Sequence, residues 1–338
     1  MKRAKRLFAG LLLCLLCFSL PAAAGAETQT GQTPLPVPSA TPAGLCGARY
    51  WPDAFSYDGR VYTDEHAYVS DQVDIRVTTV TNNTTFNRRI TYVLADIRLQ
   101  DVRSFRTAWA GDSPLDNKKT KTIKEFDAQV DPILSMNGDY IAAKKFGIVV
   151  RNGEVFRAEE TRFYDICALM KNGELRIFEG DSFTVEEVLA YDPWQVWCFG
   201  PSLLDEDGNP KTTFQSNLTG ANPRAVLGYY EPGHYCFVVV DGRRKGYSDG
   251  LNMKQLSRLM ASLGCRAAYN MDGGASAQIR FLGTTVNKPS GYRKIPDILN
   301  IAEPPDTPLP EDWTAQYIRV AGTPKPTPTP TPRPTPVG

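Results

Sequence analysis

Asp241 and Asp272 each follow a buried-type strand pattern, and each precedes a glycine. Between the two strands, residues 253–263 repeat apolar side chains at helical spacing. The order strand, helix, strand favours a right-handed crossover between neighbouring parallel strands that end at Val240 and Met271. Parallel strands would bring both carboxylates to the carboxyl edge of one sheet, where α/β proteins build their sites. Such a pair could serve as acid and base, as acid and nucleophile, or as ligands of a divalent cation, Ca²⁺ or Mg²⁺.

Two consecutive glycines distinguish Asp272 from the simple turns of this chain. The dipeptide Asp-Gly recurs elsewhere, for example at Asp207 and Asp249, where it predicts only a turn. After a buried strand, however, Gly273 and Gly274 would allow backbone N–H groups to approach an anion closely. The pattern therefore favours an anion-binding loop beside the Asp272 carboxylate.

Four ordered segments resemble motifs of the phosphodiester glycosidase domain, the domain of the N-acetylglucosamine-1-phosphodiester α-N-acetylglucosaminidase (uncovering-enzyme) type. The segments are 135–140 (SMNGDY), 222–228 (NPRAVLG), 238–243 (VVVDGR) and 269–276 (YNMDGGAS). Residues 283–289 and 293–299 are similar to the closing segments of that domain, so the resemblance covers about 90–303. Several motifs in the same order are a more specific signal than a lone glycine pattern.

The resemblance implies a hydrolase whose substrate carries a phosphate ester on a sugar C1 oxygen. Its catalytic carboxylates would be Asp272, Asp241 and Asp139, and its substrate-binding residues would be Asn137, Arg224, Arg243, Gly273, Gly274 and Ser276. Residue chemistry fits this implication, because arginine grips a phosphodiester through bidentate hydrogen bonds.

Four further residues in or beside these segments bear on the site. Ala275 replaces a third glycine of the family motif, and Ile141 follows Tyr140 where the family has an aromatic residue. These departures are expected to stiffen the loop and to reshape the sugar pocket. For Arg293 and Asp297 we expect a structural ion pair.

The chain divides by composition into four parts. Residues 1–26 combine a basic start, a short apolar run and small residues, as in a secretory signal peptide. Residues 27–45 are a Pro/Thr-rich linker, and residues 304–338 are a Pro-rich linker with a Thr-Pro tail. The folded part, 46–303, is expected to be a single α+β catalytic domain with a mixed β-sheet core flanked by helices.

Local patterns predict several elements of that domain. Strands are expected over 75–80 and 90–99. Asn-Gly pairs predict two type I′ hairpins, at Asn152-Gly153 and Asn172-Gly173. Helices are expected over 184–190 and, capped by Asn252, over 253–263.

Composition excludes several classes of protein. A net charge of +1 argues against nucleic acid as a partner. The chain has two histidines, and the five cysteines that would follow the leader show neither CxxC nor CxH spacing, which disfavours a structural zinc site. Five cysteines would follow the leader, so at least one free thiol is expected. No cofactor is certain, and a divalent cation is the one candidate.

The expected setting is secreted or cell-wall associated, with no transmembrane segment in the mature chain. The expected partner is a phosphorylated glycan or sugar-phosphate substrate, with the cell wall as its context. A non-catalytic cell-wall glycan-binding module on the same fold is the alternative. The intact carboxylate motifs favour the enzyme.

Overall fold

The computed structural model describes residues 54–161, 164–180, 182–216, 218, 220–309 and 313. The predicted leader, the linker over 27–45 and the Thr-Pro tail lie outside the described residues. Within them run three α-helices and seventeen strands, with these bounds: α1 Ile123–Val130, α2 Val185–Ala190, α3 Met253–Ser262, β1 Tyr62–Thr63, β2 Ala67–Val69, β3 Val73–Asn82, β4 Ile90–Leu99, β5 Phe105–Trp109, β6 Leu134–Asn137, β7 Ile148–Arg151, β8 Glu154–Ala158, β9 Ile166–Met170, β10 Leu175–Phe178, β11 Pro193–Trp197, β12 Arg224–Glu231, β13 His234–Val240, β14 Ala267–Asn270, β15 Ile279–Phe281, β16 Thr284–Thr285 and β17 Asp297–Ile301.

The strands form three sheets. The largest has seven strands in the order β1-β2-β3-β4-β13-β12-β14. The two others have five strands each, in the orders β10-β9-β11-β7-β8 and β16-β15-β6-β17-β5. In all three sheets, every strand pairing among the described residues is antiparallel. The described fold is therefore mostly β with few helices, and the expectation of a mixed sheet is wrong, because neighbouring strands run antiparallel in all three sheets.

One apolar core joins the three sheets. Phe105 of β5 packs against Trp197 of β11 at 5.4 Å and against Phe237 of β13 at 5.5 Å between ring centroids. Helix α3 covers the opposite face of the seven-stranded sheet, where Leu256 and Met260 are fully buried. The seven-stranded sheet is therefore packed on both of its faces.

The crossover from β13 through α3 to β14 departs from the prediction. β12 pairs with β13 on one side and with β14 on the other, antiparallel to both. β13 and β14 are thus parallel to each other but are not neighbours, so Val240 and Met271 do not end adjacent strands. Asp241 and Asp272 nevertheless leave the same end of the sheet, as predicted.

Most local elements agree with the sequence patterns. Asn252 and Gln255 form a capping box at the start of α3, which ends one residue before the predicted Leu263. Asn152 and Gly153 both have positive φ, 52° and 83°, as a type I′ turn requires. The second hairpin is present, but its turn is of a different type. Of its Asn-Gly pair only Gly173 has positive φ, which is typical of a longer loop closed by a bulge.

The folded unit continues past the boundary expected at 303. Trp313 is 8% exposed and packs edge-on against Trp194 at 5.4 Å between ring centroids. The Lys171 ammonium lies 4.8 Å from the Trp313 ring centroid. Among the helices described, none has the length and apolar character needed to cross a membrane.

Candidate active site

Asp272 lies where the seven-stranded sheet meets the sheet that contains β6. Asn137 at the end of β6 donates from Nδ2 to the Asp272 carbonyl at 2.6 Å. The Asp272 N–H donates in turn to the Gly138 carbonyl at 3.3 Å. Asn137 Oδ1 also accepts from the Gln278 N–H, which follows the glycine loop. Asn137 therefore positions the loop on both sides of Asp272.

The Asp272 carboxylate has one bonded oxygen and one unbonded oxygen. Oδ1 accepts from the Gly273 N–H at 2.9 Å, whereas Oδ2 is buried and makes no hydrogen bond. Arg293 Nη1 lies 3.7 Å from Oδ2. The Ser276 hydroxyl is close enough to act on the carboxyl pKa, but it too lacks a hydrogen bond of good geometry. Burial raises the pKa of Asp272, and the nearby Ser276 and Arg293 offset this only in part.

Asp139 belongs to a buried cluster behind that loop. Its carboxylate contacts Arg151 Nη2 at 3.0 Å and accepts from the Cys198 N–H at 2.8 Å. Burial opposes ionisation of Asp139, but Arg151 and these hydrogen bonds prevail and lower its pKa. Burial and the neighbouring Asp139 raise the pKa of Asp297 well above its usual range. Arg151 therefore favours the ionised form of Asp139, and the charge of Asp139 disfavours ionisation of Asp297.

Gly138 makes room for this cluster. A Cβ at this position would lie 2.5 Å from the Asp297 carboxyl carbon. Tyr140 follows with a φ of 58°, and its side chain remains 37% exposed beside the loop. The family's aromatic position is taken here by Ile141, which is fully buried in a core cluster. The presence of Ile141 in place of an aromatic residue therefore alters the packing of the core and not the exposed surface beside the loop.

Asp241 is 1% exposed, and hydrogen bonds saturate its carboxylate. Asn287 Nδ2 donates to Oδ1 and the Tyr247 hydroxyl to Oδ2, both at 2.9 Å. The Lys288 N–H lies 3.1 Å from Oδ1 and 3.0 Å from Oδ2. Burial raises the pKa of Asp241 against these bonds. The geometry gives Asp241 a positioning role, since it holds the loop of Asn287 and Lys288 against the end of β13.

Arg224 is buried at the start of β12, between the ends of β13 and β14. Its Nε donates to the Leu251 carbonyl at 2.9 Å, and its Nη2 donates to the carbonyls of Leu218 and Gly220 at 3.2 and 2.6 Å. These donors are therefore not free for the expected bidentate grip on phosphate. Burial, together with the charge of Arg243, lowers the pKa of Arg224 to about 10. Arg224 thus holds the segments of Leu218, Gly220 and Leu251 together. Its positive charge has no carboxylate partner among the described residues.

Arg243 lies on the exposed side of the same end of the sheet. Its backbone has a φ of 57°, a conformation that residues other than glycine rarely adopt. Asn222 Oδ1 accepts from its Nε at 3.1 Å and its Nη2 at 2.8 Å. The guanidinium packs over Gly274, where a Cβ would lie 3.1 Å from Nη2. Gly274 is therefore required both for its own φ of 64° and for the approach of Arg243.

The loop N–H groups are mostly used inside the protein. Gly273 donates to Asp272 Oδ1, Gly274 donates to the Pro223 carbonyl at 2.9 Å, and Ser276 donates to the Gly273 carbonyl. A Cβ on Gly273 would lie 2.7 Å from the Pro223 oxygen. The two glycines therefore serve the close packing of the loop on β12, and the expected cradle of backbone donors is not formed by these three residues.

The structure corrects one expected pair and adds residues that the sequence reasoning missed. Arg293 faces Asp272, whereas Asp297 lies 3.8 Å from Arg151, so the expected Arg293–Asp297 ion pair is not formed. The added residues are Arg151, which directly precedes the predicted turn at Asn152-Gly153 and lies in none of the motifs, and Asn287. The one available signal for Asn287 was its place in the segment 283–289.

A divalent cation finds few donors here. Within the described ranges no group of three or more His, Cys, Asp or Glu side chains is arranged to hold a metal ion. The carboxylate oxygens of Asp139 and Asp241 already accept hydrogen bonds from protein donors.

Comparison with known proteins identifies the family of this chain. The model of the phosphodiester glycosidase family matches residues 131–302, half of the chain. The chain belongs to the phosphodiester glycosidase family. The match contains Asn137, Asp139, Arg224, Asp241, Arg243, Asp272, Gly273, Gly274 and Ser276.

Similar proteins agree with this assignment at the level of the fold. The catalytic domain of zebrafish N-acetylglucosamine-1-phosphodiester alpha-N-acetylglucosaminidase, in a form auto-inhibited by its pro-peptide, superposes with a TM-score of 0.58 at 18% identity, over 69% of this chain and 84% of that one. A hypothetical protein from Synechocystis gives 0.52 at 11% identity, over 72% of this chain and 63% of that one.

One curated relative is similar in sequence. The SPbeta prophage-derived uncharacterized protein YomE of Bacillus subtilis (strain 168) is 25% identical over 168 residues, which are 47% of this chain. The match spans only 26% of the length of YomE.

Proposed function

We propose that this phosphodiester glycosidase family member is a hydrolase that cleaves sugar-1-phosphodiester bonds, with Asp272 as its catalytic carboxylate. The observation that carries the proposal is the unbonded Oδ2 of Asp272. Asp139 and Asp241 are saturated by protein donors, so Asp272 alone of the three predicted carboxylates keeps an oxygen available for chemistry. Its pKa, raised by burial, also suits a group that must accept a proton.

The proposed step replaces phosphate with water at the sugar C1. Asp272 takes a proton from water as the water oxygen bonds to C1, and the bond between C1 and the phosphate oxygen breaks. The released phosphate monoester carries the electron pair away as an anion, so the leaving group needs little acid assistance. Asp272 as an anion also stabilises the positive charge that develops on the sugar.

The exposed arginines are the proposed phosphate ligands. Arg243 and Arg293 approach the same loop from two directions, at Gly274 and at Asp272. Arg293 is 49% exposed and lies 3.7 Å from the unbonded oxygen, so its movement would admit the reacting water. Arg224 adds positive charge beside the loop, while its Nε and Nη2 stay bonded to protein carbonyls.

The proposed setting is outside the cell. The N-terminal pattern of a secretory leader and the Thr-Pro tract favour a secreted or wall-associated protein that acts on phosphorylated envelope or extracellular glycans.

The test is release of free sugar from a panel of sugar-1-phosphodiesters by the purified full-length chain. Asp272→Asn retains size and the capacity to accept the Gly273 hydrogen bond but removes the charge. We expect turnover to fall by about 10²-fold or more, the size typical of a lost general base or charge stabiliser. Asp207→Asn, the same change before a glycine in an exposed turn, is the matched control and should retain full turnover.

The same assay separates the two functions. Near-normal turnover in a folded Asp272→Asn protein would contradict the proposed role of the carboxylate. Binding of the diester by the wild-type chain without any turnover would favour the non-catalytic glycan-binding module instead. A chelator should leave turnover unchanged, because two of the three carboxylates have no oxygen free for a cation.

A further inference from the structure

Cys236 and Cys265 bring their sulfur atoms together beneath α3, away from the candidate site. The two Sγ atoms are 3.8 Å apart. Cys236 lies in β13 and is 0% exposed, and Cys265 follows α3 and is 4% exposed. The two residues enclose the whole of α3 and the loop that precedes it.

Gly228 of β12 makes space for both sulfur atoms. It is the direct cross-strand partner of Cys236. A Cβ at Gly228 would lie 2.6 Å from Cys236 Sγ and 2.9 Å from Cys265 Sγ. The pair therefore occupies one shared space above a glycine, with the sulfur atoms 3.8 Å apart and no side chain between them at Gly228, whereas a disulfide holds them at about 2.05 Å.

The other described cysteines differ from this pair. Cys167 packs into the core between the three sheets, whereas Cys198 packs into the separate cluster around β7 and β9. Cys236 and Cys265 share a single cluster with α3.

We propose that Cys236 and Cys265 form a disulfide bond as the chain folds. The two thiols lose two protons and two electrons, and one S–S bond forms between them. The oxidant is a disulfide such as glutathione disulfide, which is reduced to two thiols by exchange through a mixed disulfide. Because the native thiols are buried, the exchange takes place before α3 has packed on the sheet.

The bond would link β13 to the segment just before β14, the two strands that lead to the proposed site. β13 leads to Asp241, and β14, which leads to Asp272, begins two residues after Cys265. The cross-link closes a loop of about 30 residues and so reduces the conformational freedom of the unfolded chain.

The experiment begins with the denatured full-length chain carrying Cys46→Ala, refolded either with reduced and oxidised glutathione or with dithiothreitol. Free thiols are then alkylated in denaturant, and the peptides are identified by mass spectrometry without reduction. We expect a cross-linked peptide pair containing residues 236 and 265 from the glutathione sample alone. Two separately alkylated peptides from that sample would overturn the proposal.

Thermal unfolding gives a second measurement. The disulfide should raise the Tm of the glutathione-refolded chain by roughly 10 °C over the dithiothreitol-refolded chain, as expected for a loop of this length in a domain of this size. The difference should disappear in Cys265→Ala and persist in the matched control Cys167→Ala. The same difference in Cys265→Ala as in the parent would contradict the proposal, whatever the enzymatic assay gives.

Discussion

At the scale of the residue, the site consists of one open carboxylate among several saturated ones. Asp139, Asp241 and Asp297 are buried and held by protein donors, whereas Asp272 keeps an unbonded oxygen next to Arg293. The sequence motifs contain all four of these aspartates but do not show which are already bonded. That distinction depends on hydrogen bonds from Arg151, Tyr247 and Asn287, and such side-chain bonds leave no pattern in the sequence, whether the partner is 6 residues away, as Tyr247 is from Asp241, or 46, as Asn287 is.

The charge of Arg293 should set the pH dependence of Asp272. Burial raises the pKa of the Asp272 carboxyl, and Arg293 counteracts this rise. Removing Arg293 therefore raises that pKa further, so more of the carboxylate is protonated at a given acidic pH. In Arg293→Ala the acid limb of the kcat/KM profile should move to higher pH than in the wild type, because this profile reports the free enzyme.

Arg293→Lys is the control for that shift, because it keeps the charge and should keep most of the wild-type acid limb. The comparison requires kcat/KM for the three proteins across pH 4 to 8. An acid limb that stays in place in Arg293→Ala would assign the titration to another group.

The two arginines predicted to bind phosphate should behave differently. Arg224 is 2% exposed and bonds three carbonyls, so Arg224→Ala leaves buried acceptors unpaired and should lower the free energy of unfolding by roughly 3 kcal/mol. Arg243 is exposed, so Arg243→Ala should change stability little but raise KM by about 10- to 100-fold through the loss of a charged hydrogen bond to phosphate.

Denaturant unfolding and steady-state kinetics on both variants check this contrast. An Arg224→Ala protein of wild-type stability with a raised KM would restore the original expectation of direct phosphate binding.

At the scale of the element, sequence patterns predict individual strands and helices better than they predict which strands pair. The β3, β4 and α3 patterns are local and agree with the structure within a few residues. The expectation that β13 and β14 are neighbours is wrong because β12, whose sequence carries the motif at 222–228, lies between them. β12 pairs with both through backbone hydrogen bonds, and such pairing leaves no periodicity that identifies the partner strand.

Helix α3 should depend measurably on its capping box. Asn252 Oδ1 accepts from the Gln255 N–H at 2.9 Å, and Gln255 Oε1 accepts from the Asn252 N–H at 3.2 Å. Asn252→Ala leaves an N-terminal N–H without its partner and should lower the free energy of unfolding by about 1 kcal/mol. Asn252→Asp keeps the acceptor and adds a favourable charge at the helix start, so it should match or exceed the wild type.

Chemical denaturation of the three proteins measures this effect. Equal stabilities would mean that packing of Leu256 and Met260 alone fixes the start of the helix.

At the scale of the whole molecule, the domain boundary was predicted from composition alone. Proline-rich sequence after residue 303 suggested that the fold ends there, since such sequence has little to bury. Trp313 lies within that region but packs against the core shared by the three sheets. Composition averages over a segment and so does not register a single aromatic residue that docks on a distant strand.

Trp313 should therefore contribute to the stability of the entire domain. Its ring contacts Trp194 of β11, and the Trp194 indole N–H donates to the Phe105 carbonyl at 2.6 Å, so the contact leads directly into the central core. Trp313→Ala removes a buried aromatic ring near the surface and should lower the free energy of unfolding by about 2–4 kcal/mol. Deleting residues 323–338, which removes the Thr-Pro tract but keeps Trp313, is the matched control and should leave the unfolding midpoint unchanged. If the deletion destabilised the domain as much as Trp313→Ala, the tract itself would be part of the folded unit. If Trp313→Ala had no effect, the fold would end near residue 303, as composition alone predicts.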